Sequence, residues 1–332
     1  MTIDIKVSLK DKRILRELFV DGRMHYSKIA KKVGLSKQVV HYRIKRMHDL
    51  GLLIGFNSVY NVQRIGWQSY MVFLKLKSIN NNKKTEIIEF LTKHPNTAWV
   101  IKCIGNYDLV LKFFVKNVLE LNKILKNIES KYDQFFDNYE SDHIETEHLV
   151  PVPFLYAPLK HKFIPEQKQE GVVKVSNLDI QVLESLAKES RIQLSDLAIK
   201  LNVSRDLVKY HLKKLEDKKI IVKYRPSAWS GSKSVGYSWY LITLKFKQLT
   251  KQKLKSLNTY LQTNPNVTYI YELIGQHDFG FEIRLKTGDE LNEVLMEIRS
   301  LLGEDLKQHD LNLILKEYKY TYFPKCLRET NS

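Results

Sequence analysis

The sequence repeats itself, and that repeat limits what the chain can fold into. Asp11, Leu15, Leu18, Ser27, Ala30, Ser36, Val40, Tyr42 and Lys45 return 168 positions later as Asp179, Leu183, Leu186, Ser195, Ala198, Ser204, Val208, Tyr210 and Lys213. Further on the offset becomes 170: Pro95-Asn96 matches Pro265-Asn266, Ile104-Gly105 and Asp108 match Ile274-Gly275 and Asp278, and Glu120-Leu121-Asn122 matches Glu290-Leu291-Asn292. Spacing retained over roughly 150 residues is the mark of an internal duplication. Whatever fold one half adopts, the other must adopt too.

The first part of each half reads as a helix-turn-helix. Tyr26 to Lys32 is a short helix with small Ala30 facing inward, and Gly34 supplies a turn that needs positive φ. Its counterpart is Asn202, the next-best residue for a left-handed backbone. Ser36 is a good N-cap for the helix that follows. Val39, Val40, Ile44 and Met47 recur at helical spacing and are expected to form the buried stripe. The opposite face is basic, which suits a helix entering the major groove N-terminus first. Gly51 marks the helix end, and Leu52 to Ile54 are expected to start a small β wing, followed by a linker over Asn57 to Ile65.

The rest of each half alternates strand and helix periods. Gly66–Lys77 is an alternating strand, Lys83–Lys93 a helix, Thr97–Ile104 and Leu109–Val115 strands about the turn Gly105-Asn106-Tyr107-Asp108. A helix carrying Val118, Leu121, Ile124, Leu125 and Ile128 precedes a last strand, Tyr139–Val150. The order β-α-β-β-α-β is the ferredoxin-like motif, which leaves one sheet face open for a partner. The expected fold is α+β: two copies of a winged helix-turn-helix followed by a ferredoxin-like domain. The units are 1–60 and 66–152, a linker at 153–176 rich in Pro and polar residues, then 177–228 and 235–324.

Charge points to a polyanion. Lys and Arg number 54 against 37 Asp and Glu, a net charge of +17. Residues 1–50 hold thirteen of the basic residues and five of the acidic ones; residues 177–226 hold eleven and seven. An excess gathered in the helix-turn-helix segments favours DNA. Cys103 and Cys326 are the only cysteines and form no CxxC, which argues against a disulfide framework or a cysteine zinc site. His143, Glu145 and Glu147 alternate along one strand, but the second half places Leu313, Leu315 and Glu317 there, so a solvated strand face is expected and no metal. No signal peptide opens the sequence and no apolar run nears bilayer length, so a cytoplasmic protein is expected.

A helix-turn-helix, a linker and then β-α-β-β-α-β resembles the Lrp/AsnC family of transcriptional regulators. The likeness rests on Gly34-Leu35-Ser36, Val40, Arg43, Gly51 and an Ile-Gly-Phe wing start, and on Ile104-Gly105-Asn106-Tyr107-Asp108-Leu109. It covers nearly the whole chain, twice, so the chain resembles two protomers joined head to tail. The resemblance implies a sequence-specific double-stranded DNA-binding regulator whose halves act as a pseudo-dimer, with possible further homo-oligomerisation and no membrane partner. It places DNA contacts on Ser36, Lys37, Gln38, His41, Tyr42, Arg43, Lys45 and Arg46, and on Ser204, Arg205, Asp206, Lys209, Tyr210, His211, Lys213 and Lys214. It further implies a small-molecule effector, often an amino acid, near Gly105, Tyr107 and Asp108 and near Gly275, His277 and Asp278.

Two other functions fit the architecture. Siroheme decarboxylases resemble it, and lean on a His- and Arg-rich segment where regulators have the Gly-x-x-Asp turn. Here both turns keep Gly and Asp, only His277 falls within one, and no Arg precedes it, so a non-enzyme without cofactor is expected. Some relatives are architectural proteins that wrap DNA, which a charge of +17 permits. Unequal recognition helices and mixed charge on the sheet domains favour a local regulator.

Overall fold

A computed structural model describes residues 7–150, 171–228 and 236–330. Most of the linker expected at 153–176 therefore lies outside the described residues. The first half runs α1 (Leu9–Val20), α2 (Tyr26–Val33), α3 (Lys37–Asp49), β1 (Leu53–Tyr60), β2 (Gln68–Leu76), α4 (Asn81–Lys93), β3 (Thr97–Gly105), β4 (Leu109–Val115), α5 (Val118–Tyr132) and β5 (Phe136–Leu149). The second repeats it: α6 (Asn177–Lys188), α7 (Leu194–Leu201), α8 (Arg205–Asp217), β6 (Ile221–Ala228), β7 (Ser238–Phe246), α9 (Lys251–Thr263), β8 (Val267–Gly275), β9 (Phe279–Leu285), α10 (Gly288–Leu302) and β10 (Leu306–Tyr320).

Each ferredoxin-like unit has the strand order expected of it, β5-β2-β4-β3 and β10-β7-β9-β8. The two sheets do not end there. β5 pairs antiparallel with β8, and β10 with β3, so that eight strands close into one barrel. Closure removes the exposed edges that a four-stranded sheet would present. The outer faces carry the helices: Ile87, Leu91, Leu121 and Ile128 pack on one sheet, and Leu257, Leu261, Val294 and Ile298 on the other. The sheet faces left open by each unit meet inside the barrel, where Met71, Phe73, Trp99 and Ile101 pack against Trp239, Leu241, Tyr271 and Ile314. Each half is thus the partner whose place the sequence left open.

The segment after each recognition helix differs from its expected form. β1 extends through Tyr60, where a linker was expected, and pairs antiparallel with β6 of the other half, giving a two-stranded sheet with one strand from each half. The wing strand thus finds its partner across the pseudo-twofold axis. Only Val62–Ile65, a single 3-10 turn, then separates β1 from the barrel. The helix-turn-helix cores are built unequally. The first is a separate cluster of Ile14, Leu18, Ile29, Val40, Ile44 and their neighbours. The second is continuous with Tyr60, Ile65 and Trp67 of the first half and with Phe323 and Leu327 near the C-terminus. Cys103 and Cys326 are both buried and free.

Candidate DNA-recognition face

Local chemistry sets both recognition helices. Gly34 ends α2 at φ 68° and Asn202 ends α7 at φ 54°, so the substitution across the repeat preserves the left-handed turn. Ser36 Oγ accepts from Val39 N and Ser204 Oγ from Leu207 N, both at 3.2 Å. These two hydroxyls are used as caps, while the helix N-termini behind them still favour a phosphate. Val40, Ile44 and Met47, and Val208, Leu212 and Leu215, form the buried stripes.

Val39 corrects the expected stripe. It is 38% exposed, and its counterpart Leu207 is 39% exposed. Both stand on the outward face beside the basic residues, where an apolar side chain can meet a thymine methyl. Periodicity alone did not separate Val39 from its neighbour Val40. Lys37, Gln38, His41, Tyr42, Lys45 and Arg46 are exposed on α3, and Arg205, Asp206, Lys209, Tyr210 and Lys213 on α8.

Three basic residues expected on that face have partners inside their own unit. Arg43 Nη1 lies 2.8 Å from Asp11 Oδ1, and Asp11 also forms the capping box at the start of α1 with Ser8. In the second half His211 Nδ1 and Lys214 Nζ each lie 2.6 Å from the Asp179 carboxylate, which is fully buried and closes the capping box of α6 with Ser176. Burial opposes the charge on Asp179, but bonds from His211, Lys214 and Ser176 outweigh it and hold the carboxyl below the usual aspartate range. The contacts brace each recognition helix against the first helix of its unit.

The two units are also fastened to each other. Arg23 Nη1 donates to Ser190 O at 2.8 Å and Arg191 Nη1 to Gly22 O at 2.5 Å, a reciprocal clasp across the axis. Gly22 N donates to Tyr224 O and Ser190 N to Phe56 O, so each α1–α2 or α6–α7 turn rests on the strand that follows the other recognition helix. At Gly22 a Cβ would lie 2.7 Å from the Arg225 nitrogen, too close for any side chain.

The turns proposed for an effector are joined to the barrel seam. Gly105 faces β10 and Gly275 faces β5; with φ of 150° and 156° they admit a neighbouring strand so close that a Cβ would fall 2.1 Å from Leu311 O or 2.7 Å from Ser141 O. Asp108 Oδ2 accepts from Leu76 N at 3.0 Å and Asp278 Oδ2 from Phe246 N at 2.8 Å, so each carboxylate caps an adjacent strand end. Tyr107 is buried, donates its backbone N–H to Asn312 Oδ1 at 3.0 Å, and its hydroxyl donates to Glu140. His277, at the equivalent place, lies between Asp142 at 2.7 Å and Asp310 at 2.9 Å. Burial alone would lower the His277 pKa; the two carboxylates outweigh it and raise it to about 9.

Known proteins give matching signals. An AsnC-type helix-turn-helix domain matches residues 9–48, and a winged helix-turn-helix DNA-binding domain matches residues 176–222. The HTH-type transcriptional regulator FL11 of Pyrococcus furiosus is 33% identical over 120 residues, 36% of this chain and 78% of that protein. A proline dehydrogenase transcriptional activator of Rhizobium radiobacter is 31% identical over 118 residues, 35% of this chain and 74% of that protein. Among solved structures, the siroheme decarboxylase NirDL superposes with a TM-score of 0.64 and covers 97% of this chain and 98% of its own, at 12% identity, which is a likeness of fold.

Proposed function

We propose, for a chain that belongs to the Lrp/AsnC family of DNA-binding transcriptional regulators, that its fused halves form a built-in dimer reading a duplex site of two unequal half-sites. The observation that carries this reading is the pairing of β1 with β6, which sets two different recognition helices about one pseudo-twofold axis. Dimeric helix-turn-helix proteins read half-sites about one helical turn apart, or a multiple of it. Identical helices would suit a palindrome; here Gln38 is replaced by Asp206, and exposed Arg46 by Lys214, whose ammonium is held by Asp179. On α3 we assign base and phosphate contacts to Lys37, Gln38, Val39, His41, Tyr42, Lys45 and Arg46. On α8 we assign them to Arg205, Asp206, Leu207, Lys209, Tyr210 and Lys213. The second half-site is the weaker, and the protein acts in the compartment that holds the chromosome.

We read the chain as a regulator and not as an enzyme. The histidine on which a tetrapyrrole reading would rest, His277, is buried with both ring nitrogens engaged by carboxylates. For an effector, the exposed shoulders of the two turns remain the proposed place, with Ile104 and Ile274 beside Gly105 and Gly275.

The test is selection of bound duplexes from a random pool at two salt concentrations. Six to ten phosphate contacts lower affinity by roughly 10³–10⁵ between 50 and 200 mM salt. Two unequal enriched half-sites support the built-in dimer. Steep salt dependence with no motif would instead indicate a DNA-wrapping protein, and no duplex binding at low salt would overturn the reading.

A further inference from the structure

Between the two recognition units, beside the clasp across the pseudo-twofold axis, lies a cavity of about 430 Å³. That size is within the range of pockets that hold small molecules. Arg23 and His25 of the first half and Arg191, Gln193, Ser195 and Arg205 of the second line it, and no carboxylate stands in its wall. The two clasp guanidiniums are fixed but not used up. Arg23 donates from Nη1 to Ser190 O at 2.8 Å and from Nη2 to Ile192 O at 3.3 Å; Arg191 donates from Nη1 to Gly22 O at 2.5 Å and from Nη2 to Met24 O at 3.1 Å. Each thus commits two of an arginine's five N–H donors and keeps the others. Arg23 stacks over Tyr224 at 5.3 Å and Arg191 over Tyr26 at 4.8 Å, which holds both planes in place.

The charge of this wall is positive and unpaired. Among the described residues, Arg23, Arg191 and Arg205 form no ion pair. The acids nearest in sequence serve their own turns: Asp21 accepts the backbone N–H of Arg23 at 2.9 Å, and Glu189 that of Arg191 at 3.0 Å. Asp196 and Asp206 follow Ser195 and Arg205 but do not line the cavity. An adjoining cleft of about 630 Å³ shares His25, Arg191 and Gln193, and there Lys37 and Lys45 stand with Glu189. Across both hollows Arg23, Lys37, Lys45, Arg191 and Arg205 face Glu189 alone. α2 after His25 and α7 after Gln193 both start without a side-chain cap, so the partial positive charge of their first turns adds to the field. We infer that the cavity binds a phosphoryl group, held by the forks of Arg23 and Arg191 with Arg205 as a third cation. Guanidinium forks match phosphate oxygens two at a time. A multiply charged anion offsets these fixed cations, where a monoanion leaves most of their charge standing. The group belongs either to a free phosphorylated molecule or to the backbone of a duplex, and the chemistry recognised is the same. The site is separate from the two turns discussed above and has a wall from each unit, so an occupant bears on the spacing of the recognition helices. It rests on the clasp and not on the reading of the chain as a regulator.

Isothermal titration of the full chain with sodium pyrophosphate at constant ionic strength tests the assignment, with sodium acetate as the monoanionic counterpart. Pyrophosphate should bind saturably with a Kd of about 1 mM or tighter, and acetate about tenfold more weakly or worse. Arg191→Gln should weaken pyrophosphate binding about tenfold, and so should Arg205→Gln, a milder change at an exposed position should the first disturb folding. Lys200→Gln removes the same charge from the same unit outside both hollows, and should change affinity by less than about twofold. Thermal melts of the variants serve as the folding control. The assignment is overturned by the absence of saturable heat, by acetate binding as tightly as pyrophosphate, or by unchanged affinity in folded Arg205→Gln. An equal loss in Lys200→Gln also overturns it, since that is what the diffuse field of a net charge of +17 would give. A second arm repeats the pyrophosphate titration on the chain saturated with duplex DNA. Retained binding assigns the site to a free phosphorylated molecule; loss of binding, with weaker duplex affinity in Arg191→Gln, assigns it to a backbone phosphate. The first arm needs no DNA, so its failure is distinguishable from failure of the regulator reading.

Discussion

His277 Nδ1 lies 2.7 Å from Asp142 Oδ2, joining the second half of the chain to the first in the barrel seam. At the equivalent place across the axis the Tyr107 backbone N–H donates to the uncharged side chain of Asn312, as the His277 N–H does to Asp142. The seam therefore has one charged and one neutral version of the same contact. Phe73 fills the space between them, 5.0 Å from Tyr107 and 4.9 Å from His277 by ring centroids.

That contact makes stability depend on pH. The His277 pKa is raised to about 9 in the folded chain, above an unfolded value near 6.5. Its stabilisation is complete below about pH 6.5 and is lost as pH climbs through 9. Asp310, held below the usual range by His277 and Gln308 against the effect of burial, contributes above the ordinary aspartate pKa and loses that contribution in acid. The expected outcome is a melting temperature that falls between pH 7 and pH 9.5 more steeply in the native chain than in His277→Tyr with Asp142→Asn, which copies the neutral pair. Over that window the difference in stability should be about 2 kcal/mol. Parallel curves for the two proteins would contradict it.

Arg43→Ala and Arg46→Ala should separate bracing from binding. Losing Arg43 leaves the buried Asp11 carboxylate with Ser8 alone and no cation, and should cost the first helix-turn-helix about 1–3 kcal/mol, seen as earlier melting. Arg46 is exposed, so its loss should leave melting unchanged, weaken DNA binding, and reduce the salt slope by about 1 if it meets phosphate. Calorimetry beside gel-shift titration checks both; equal effects of the two changes on stability would count against the assignment.

Asp206→Gln should strengthen the weaker half-site. It removes a like charge from the groove face of α8 and restores the residue found at Gln38. Affinity for the selected site should rise about threefold to tenfold, and the base preference opposite α8 should shift. Repeating the duplex selection with the variant reads both effects.

Gly105→Ala should loosen the barrel. Its Cβ would meet Leu311 O at 2.1 Å in a backbone conformation that side chains rarely adopt. The expected loss is at least ~2 kcal/mol of stability. If the glycine served only to admit a ligand, melting would be unchanged and ligand affinity alone would move.

The helix-turn-helix units were legible because their determinants are local. Ser36 and Ser204 cap within three residues, and Gly34 and Asn202 carry the turn by their own φ preference. The β-α-β-β-α-β order was legible from alternating periods. What escaped was set by distant neighbours. Nothing near Arg43 in sequence announces Asp11, 32 residues away, as the carboxylate that its guanidinium meets. β1 looked like the start of a wing because its partner, β6, belongs to the other half. At Gly105 and Asp108 the sequence shows only a turn; the close strand crossing at Gly105 arises once β10 closes on β3, and the strand end that Asp108 caps lies 32 residues away.

If the halves act as the proposed built-in dimer, the closed seam would also isolate the protein from its relatives. A regulator assembled from two separate chains would split on dilution and could trade subunits, so that its DNA occupancy would rise with more than the first power of concentration. Here both readers are synthesised together and both edges of each sheet are already taken. In the proposed built-in dimer no monomer would be released to form mixed pairs. Binding to a single site should follow protein concentration linearly even when the chain is scarce, and a change in one recognition helix alters one half of the site while the other stays as it was.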